Sequence, residues 1–173
     1  MRAFIAVDFC KETKDKLFCA ANELKALSIK GSFTRHENFH LTLAFLGEIS
    51  SGETEKAKDI LNKTEARPFE LIISGSGIFK RPGGDIFWIG IQNPAEIEEL
   101  CMRLRKELIS NGFKIDDKKF SPHITLGREI LLKDNSVWDL KINAAEKVNK
   151  ISLMKSERIN GKLVYTEVFA KQL

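Results

Sequence analysis

The strings His40-Leu41-Thr42-Leu43 and His123-Ile124-Thr125-Leu126 use two of the chain's three histidines in one repeated pattern. In an extended strand, side chains alternate between faces. Each His therefore shares a face with the Thr two residues on, while the aliphatics between and after them point the other way. Each copy is a strand with one polar face held open and one apolar face that must be covered. A chain carrying two such strands needs two sheet surfaces able to look at one another. In the first copy His40, Thr42, Ala44 and Leu46 fall on one face, and Leu41, Leu43 and Phe45 on the other. In the second, His123, Thr125 and Gly127 oppose Ile124 and Leu126.

The rest of the chain fits that demand. Residues 3–7 are a compact apolar run ending at Asp8 and read as a buried strand. From 11 to 27, Leu17, Ala20, Ala21, Leu24 and Leu27 recur at helical spacing among Lys and Glu. Gly31 and Ser32 break the pattern, 33–35 reads as a short strand and 39–47 as the first motif strand. A helix over 50–66 follows, with Thr54, Ala57, Ile60 and Leu61 on one face and Pro68 past its end. Strands at 69–74 and 85–92 then flank GSGIFKRPGG, whose glycines and Pro82 read as irregular chain. Asn93 is the expected cap of a helix with the stripe Ile97, Leu100, Leu104 and Leu108, stopping at Asn111-Gly112. After the second motif, strands at 147–157 and 162–171 join through Ile159-Asn160-Gly161, a tight antiparallel hairpin signal. Strands and helices alternate with hairpins in two halves, each with one motif strand. The expected fold is α+β and bilobal, with two-fold pseudo-symmetry: an antiparallel sheet in each lobe, helices on the outer faces, a cleft between lobes, and one domain over 1–173.

An imidazole takes a proton when neutral and gives one when charged, and a hydroxyl beside it can bond an oxygen that gains charge. Two such half-sites facing each other supply one acid and one base, as in-line displacement at the phosphorus of a phosphodiester requires. The residues alone do not say which His is which. Two histidines with no third His, Cys or carboxylate at ligand spacing fall short of a zinc site, and Asp116 and Asp117 read as a solvated turn, so no metal is expected. Neither GxGxxG nor GxxxxGK[ST] occurs, and no nucleotide cofactor is expected. His36 reads as a loop residue, Lys80-Arg81 as a solvated loop, and Trp88 as core or cleft wall. Tyr165, the only tyrosine, lies on a C-terminal strand with no signal of its own.

Charge and cysteine usage bound the setting. Lys and Arg number 28 against 24 Asp and Glu, a net charge of +4 that suits a polyanionic ligand without demanding one. Cys10, Cys19 and Cys101 are odd in number and lack metal or redox spacing, which points to a reducing cytoplasm. Apolar runs are broken by charge well short of the roughly 20 residues that cross a bilayer, so no membrane partner is expected.

At the paired motifs the chain resembles the two-histidine (2H) phosphoesterase superfamily, and within it the RNA 2′,3′-cyclic phosphodiesterases, historically called 2′-5′ RNA ligases. The likeness extends through MRAFIAVDF, NFHLTLAFLGEI, FELIISGSGIFKRPGGDIFWIGI, FSPHITLGR and ISLMKSERINGKLVYTEVFAKQL. It implies a metal-independent enzyme that opens a 2′,3′-cyclic phosphate on RNA or a nucleotide to a 2′-phosphomonoester without a cofactor; no obligate protein partner is implied, and a monomer is expected. His40 would be the proton donor and His123 the proton acceptor, and Thr42 and Thr125 would hold the non-bridging oxygens. Run backwards, the same site would join such an end to a 5′-hydroxyl. The resemblance also implies that Phe45 and Arg128 contact the nucleotide. Strict alternation puts both on the face opposite the histidines, so they need a bend or bulge at the strand end, for which Gly47 and Gly127 are placed. The rival readings are a non-catalytic module that grips an RNA end, and a 2H phosphodiesterase for a small nucleotide or a 2′-5′ oligoadenylate.

Overall fold

The computed structural model describes residues 1–116, 118–133, 138, 140 and 142–173. Asp117 lies outside the described residues. Among the described residues, nine strands and three helices follow in the order β1 (Arg2–Asp8), α1 (Lys11–Ala26), β2 (Ser28–Phe33), β3 (His40–Glu48), α2 (Ser51–Lys63), β4 (Phe69–Phe79), β5 (Asp85–Ile91), α3 (Ala95–Ser110), β6 (His123–Leu132), β7 (Asn143–Val148), β8 (Lys150–Ile159) and β9 (Lys162–Gln172). A 3-10 turn at His36–Asn38 separates β2 from β3. The strands make two antiparallel sheets, ordered β3-β1-β8-β9 and β2-β6-β5-β4-β7. Each sheet carries one motif strand, and the fold is the expected α+β arrangement of two sheets.

The sheets are not, however, two successive halves of the chain. The first sheet joins β1 and β3 to β8 and β9 from the far end, and β2 crosses to the second sheet to pair with β6. Local periodicity specifies a strand but not its neighbour. Here the short apolar β1 is buried along nearly its whole length, and it is satisfied only as a central strand between β3 and β8.

Helices cover the outer faces. The stripe Leu17, Ala20, Ala21 and Leu24 of α1 is buried against the sheet that holds β2, β6 and β7, while α2 and α3 pack on each other and on β3, β8 and β9. Each leucine so buried contributes about 1.5–3 kcal/mol relative to exposure. Ser50 and Glu53 start α2 as a reciprocal capping box: the Glu53 N–H donates to Ser50 Oγ at 3.2 Å and the Ser50 N–H to Glu53 Oε2 at 2.7 Å. The Asn160-Gly161 turn has both residues at positive φ, 50° and 76°, as a two-residue hairpin between twisted strands requires.

Four local readings are corrected. The strand expected at 33–35 lies earlier, at Ser28–Phe33, and runs through Gly31; a Cβ there would sit 2.8 Å from Ile130 Cγ1, so a glycine lets the strand close on β6. The connection after residue 74 is strand as far as Phe79, with Gly75 at φ +77° in the register irregularity between Ile73 and Ser76. Asn93 does not cap α3, whose N-cap is Pro94; its side chain instead accepts from the Ile72 N–H at 2.7 Å and donates to the Glu70 carbonyl at 2.8 Å, pinning β4. The strand expected over 147–157 is two strands, β7 ending at Val148 and β8 starting at Lys150.

Candidate active site

The two motif strands, β3 and β6, meet where the sheets adjoin. Between them lies a cavity of about 100 Å³ lined by Thr34, Asn38, His40, Thr42, Phe45, His123, Thr125, Arg128 and Tyr165. All six site residues expected from the sequence are in it.

The two imidazoles are fixed in the same way. His40 Nδ1–H donates to the carbonyl of Asn38 at 2.7 Å, and His123 Nδ1–H to the carbonyl of Ser121 at 2.7 Å. A carbonyl only accepts, so each neutral ring is the Nδ1–H tautomer and keeps its Nε2 lone pair for the site. At His40 that lone pair takes a hydrogen bond from the Thr42 hydroxyl at 3.0 Å. Aromatic rings wall each imidazole: Phe4 and Tyr165 stand 4.9 and 5.1 Å from His40, and Phe79 and Trp88 stand 5.1 and 6.2 Å from His123. Trp88 thus packs against His123 without lining the cavity itself.

Burial strips hydration from the charged ring and holds both histidines below the usual imidazole range. At His40 the Asn38 carbonyl and then Asp8 oppose this, while Arg128 and Lys14 add to it; at His123 the Ser121 carbonyl opposes and Arg128 adds. Arg128 thus acts on both rings. Burial raises the Tyr165 pKa, and the charges of Arg128 and Arg2 oppose that rise.

Phe45 and Arg128 reach the cavity because a bulge breaks the alternation at the same place in each motif strand, between the His-Thr pair and the residue in question. In β3, Ile5 pairs with Ala44 and Ala6 with Thr42, leaving Leu43 as an extra residue; in β6, Phe87 pairs with Gly127 and Trp88 with Thr125, leaving Leu126 extra. Each bulge is the Leu that ends the H-x-T-L string. It moves the residue five beyond the His onto the His face. The bulge that turns Phe45 lies in mid-strand at Leu43; a second irregularity follows between Phe45 and Gly47, which is at φ +72°, and in the second copy the bulge lies just before Gly127. The carbonyls at the bulges find partners outside the strand pairs: Leu43 O accepts from the Cys101 thiol of α3 at 3.1 Å, and Leu126 O from the Thr34 N–H at 2.8 Å. Burial pushes the Cys101 pKa up to about 12, so it stays a protonated donor.

Thr34, Asn38 and Tyr165 were not singled out as site residues from the sequence. Residues 34–38 carry the chain from the second sheet to the first and bind both half-sites. The Thr34 hydroxyl donates to the Thr125 carbonyl at 2.8 Å. Asn38, 5% exposed, holds His40 through its own carbonyl and donates from Nδ2 to the Leu163 carbonyl at 3.0 Å. His36 lies in the same segment, outside the cavity, paired to Asp15 at 2.7 Å. Asn38 sits two residues before the motif, where continued strand parity would have pointed to it; Thr34 lies just before it but acts through Thr125, 91 residues away, and Tyr165 comes from β9, and neither has a local sign. Lys80 is held by Asp85 at 2.7 Å. Among the described residues no three His, Cys, Asp or Glu side chains gather as a metal site, and no helix is long and apolar enough to cross a membrane.

Two facing H-x-T strands on paired antiparallel sheets define a phosphoesterase of the two-histidine type. The family model described as LigT like Phosphoesterase matches residues 7–88 and 89–165, one motif in each stretch, and the chain belongs to that family. An RNA 2′,3′-cyclic phosphodiesterase of Methanothermobacter thermautotrophicus is 27% identical, over 97% of this chain and 96% of that protein. One of Thermotoga maritima is 36% identical, over 74% of this chain and 70% of its own. The structure of Escherichia coli LigT complexed with 3′-AMP superposes with a TM-score of 0.85 at 25% identity, covering 99% of this chain and 97% of that one.

Proposed function

We propose that this protein hydrolyses the 2′,3′-cyclic phosphate end of RNA to a 2′-phosphomonoester without a metal ion, with His123 as general base and His40 as general acid. The observation that carries the reading is the matched pair of imidazoles, each fixed through Nδ1 with Nε2 left for the site. A water between His123 and phosphorus gives its proton to His123 Nε2 as the P–O bond forms. The bond from phosphorus to the ribose 3′-oxygen breaks, and that oxygen takes the proton from His40 Nε2. Protonation of His40 uses up the lone pair that held the Thr42 hydroxyl, which frees that hydroxyl to donate to a non-bridging oxygen. Thr125 does the same from the other side, Arg128 neutralises the phosphate, and the ring of Phe45, 55% exposed, offers a face to the base. With a 5′-hydroxyl in place of water, the same proton transfers run the joining reaction. One chain carries both histidines, so a monomer suffices, and the cytoplasm is where such RNA ends would be met. The relatives' names and the 3′-AMP complex of the LigT structure support the choice of substrate.

The test is an oligoribonucleotide ending in a 2′,3′-cyclic phosphate, incubated in EDTA with the protein, His40→Ala and His123→Ala. Conversion to a 2′-phosphate is expected, with each variant slower by about 10²–10⁴-fold. Loss of turnover in EDTA, or a variant at wild-type rate, refutes the mechanism. Salt-dependent binding with no product moves the reading to an RNA-end-binding module.

A further inference from the structure

The face of the first sheet that bears His40 continues past the cavity. In β1, Ala3, Ile5 and Val7 belong to the main core, so Phe4 and Ala6 lie on the opposite, cleft face, and alternation places Arg2 there with them. The pairing of β1 with β8 is regular over Ala3–Ala6, and where the β1–β3 register shifts, between Ala3 and Phe4, the extra residue is Leu46 on β3, so β1 keeps its own alternation. Across the strands this face forms successive rows. Ala6 is opposite Thr42; Phe4 is opposite Phe45 and Met154; Arg2 is opposite Glu48. Tyr165 sits against Phe4 at 4.9 Å and is close enough to Arg2 for its phenol to feel that charge. From Ala6 to Arg2 is four residues of strand, about 13 Å, part of which a long arginine side chain spans. Moving outward from the phosphate site, the surface therefore offers hydroxyls, then the rings of Phe45 and Tyr165 seated on the buried Phe4, then a cation.

Arg2 is exposed and has no side-chain hydrogen bond or ion pair among the described residues. Glu48, its cross-strand neighbour, is 3.6 Å from the amino terminus instead. Arg158, further out on β8, is committed to the Gly161 carbonyl at 3.1 Å. Hydroxyls, rings and a cation in this order match the order of groups along an RNA end: cyclic phosphate, terminal nucleoside, and the phosphodiester 5′ to it.

We infer that Arg2 binds the phosphodiester on the 5′ side of the terminal nucleotide and makes the site selective for an RNA chain end over a free cyclic nucleotide. This rests on the function proposed above. An unpaired arginine meeting a phosphate forms charge-assisted, bidentate hydrogen bonds that a lysine reproduces only as a point charge.

The experiment compares two dinucleotides ending in a 2′,3′-cyclic phosphate, one with an ordinary linkage and one whose linkage is a neutral methylphosphonate, on wild type, Arg2→Gln and Arg2→Lys. Wild type is expected to favour the charged linkage in kcat/KM by about tenfold. Arg2→Gln should bring that ratio close to one, and Arg2→Lys should keep part of it. Wild type that turns over both substrates equally overturns the inference and leaves the function standing. So does Arg2→Gln that keeps the full ratio, or that slows both substrates by the same factor. Failure of wild type to hydrolyse either substrate removes the function itself, and the inference with it.

Discussion

Gly77→Ala tests how tightly the His123 half-site is braced. Gly77 on β4 is paired with Trp88 on β5, and the indole lies over it. A Cβ built on Gly77 would stand 2.6 Å from Trp88 Cε2 and nearer still to Cζ2 and Cη2. Ordinary carbon contact is about 3.5–4.0 Å, so the indole must withdraw by roughly 1 Å or more. Trp88 Nε1 is buried without an acceptor among the described residues, so the ring is held by packing and has no hydrogen bond to return it to place. Its neighbours on the withdrawal path are Phe79, 5.1 Å away, and His123, 6.2 Å away. Overpacking of this kind costs about 1–3 kcal/mol. For a chain of this size that lowers Tm by roughly 2–12 °C. Displacing a reacting group by about 1 Å costs on the order of a hundredfold in rate, so kcat on the cyclic-phosphate oligonucleotide should fall at a temperature where the variant is still folded. Gly52→Ala is the control: it lies in the first turn of α2 with nothing within 4 Å of its Cβ, and should leave kcat unchanged. Gly77→Ala with wild-type Tm and kcat would refute the idea that the indole is wedged between glycine and histidine.

Arg128→Gln should move the whole pH profile of kcat/KM toward alkali. Arg128 disfavours the charged form of both histidines, so without it each keeps its proton to higher pH. The acidic limb, where His123 must become neutral, then begins at higher pH, and the alkaline limb, where His40 must stay protonated, ends at higher pH. Overall rate also falls because the phosphate loses a cation, but the displacement of the limbs is the read-out. NMR titration of the two rings in the free protein checks it, and unmoved midpoints would contradict the electrostatic account. Thiol labelling of native protein near neutral pH should modify Cys10 and Cys19, which are exposed, and spare Cys101, which unfolding should release. Labelling of Cys101 in the native state would mean that its bond to the Leu43 carbonyl opens readily.

The helices α1 and α3, the β8–β9 hairpin and both motif strands were legible because each rests on spacing within a dozen residues. That His40 and His123 would share one cavity was legible because the same His, Thr and aliphatic frame occurs twice. The face of Phe45 and Arg128 was not. It depends on one extra residue in each strand, and those bulges are completed by partners far away in sequence, Cys101 for Leu43 and Thr34 for Leu126. The tail of β4 was hidden for another reason: Gly75 and Gly77 look like chain breakers locally, whereas one takes up a register irregularity and the other makes room for an indole. The interleaving of the sheets from both ends of the chain has no local signature at all.

The short crossing at 34–38 sets the bite of the catalytic jaws. One end is bonded to the strand of the proposed base through Thr125 and Leu126, the other to His40, the proposed acid, through the Asn38 carbonyl, and its middle to α1 through His36 and Asp15. Acid and base sit on different sheets, yet their separation is gauged by a covalent strut of five residues. The gap can thus be held ready before substrate arrives.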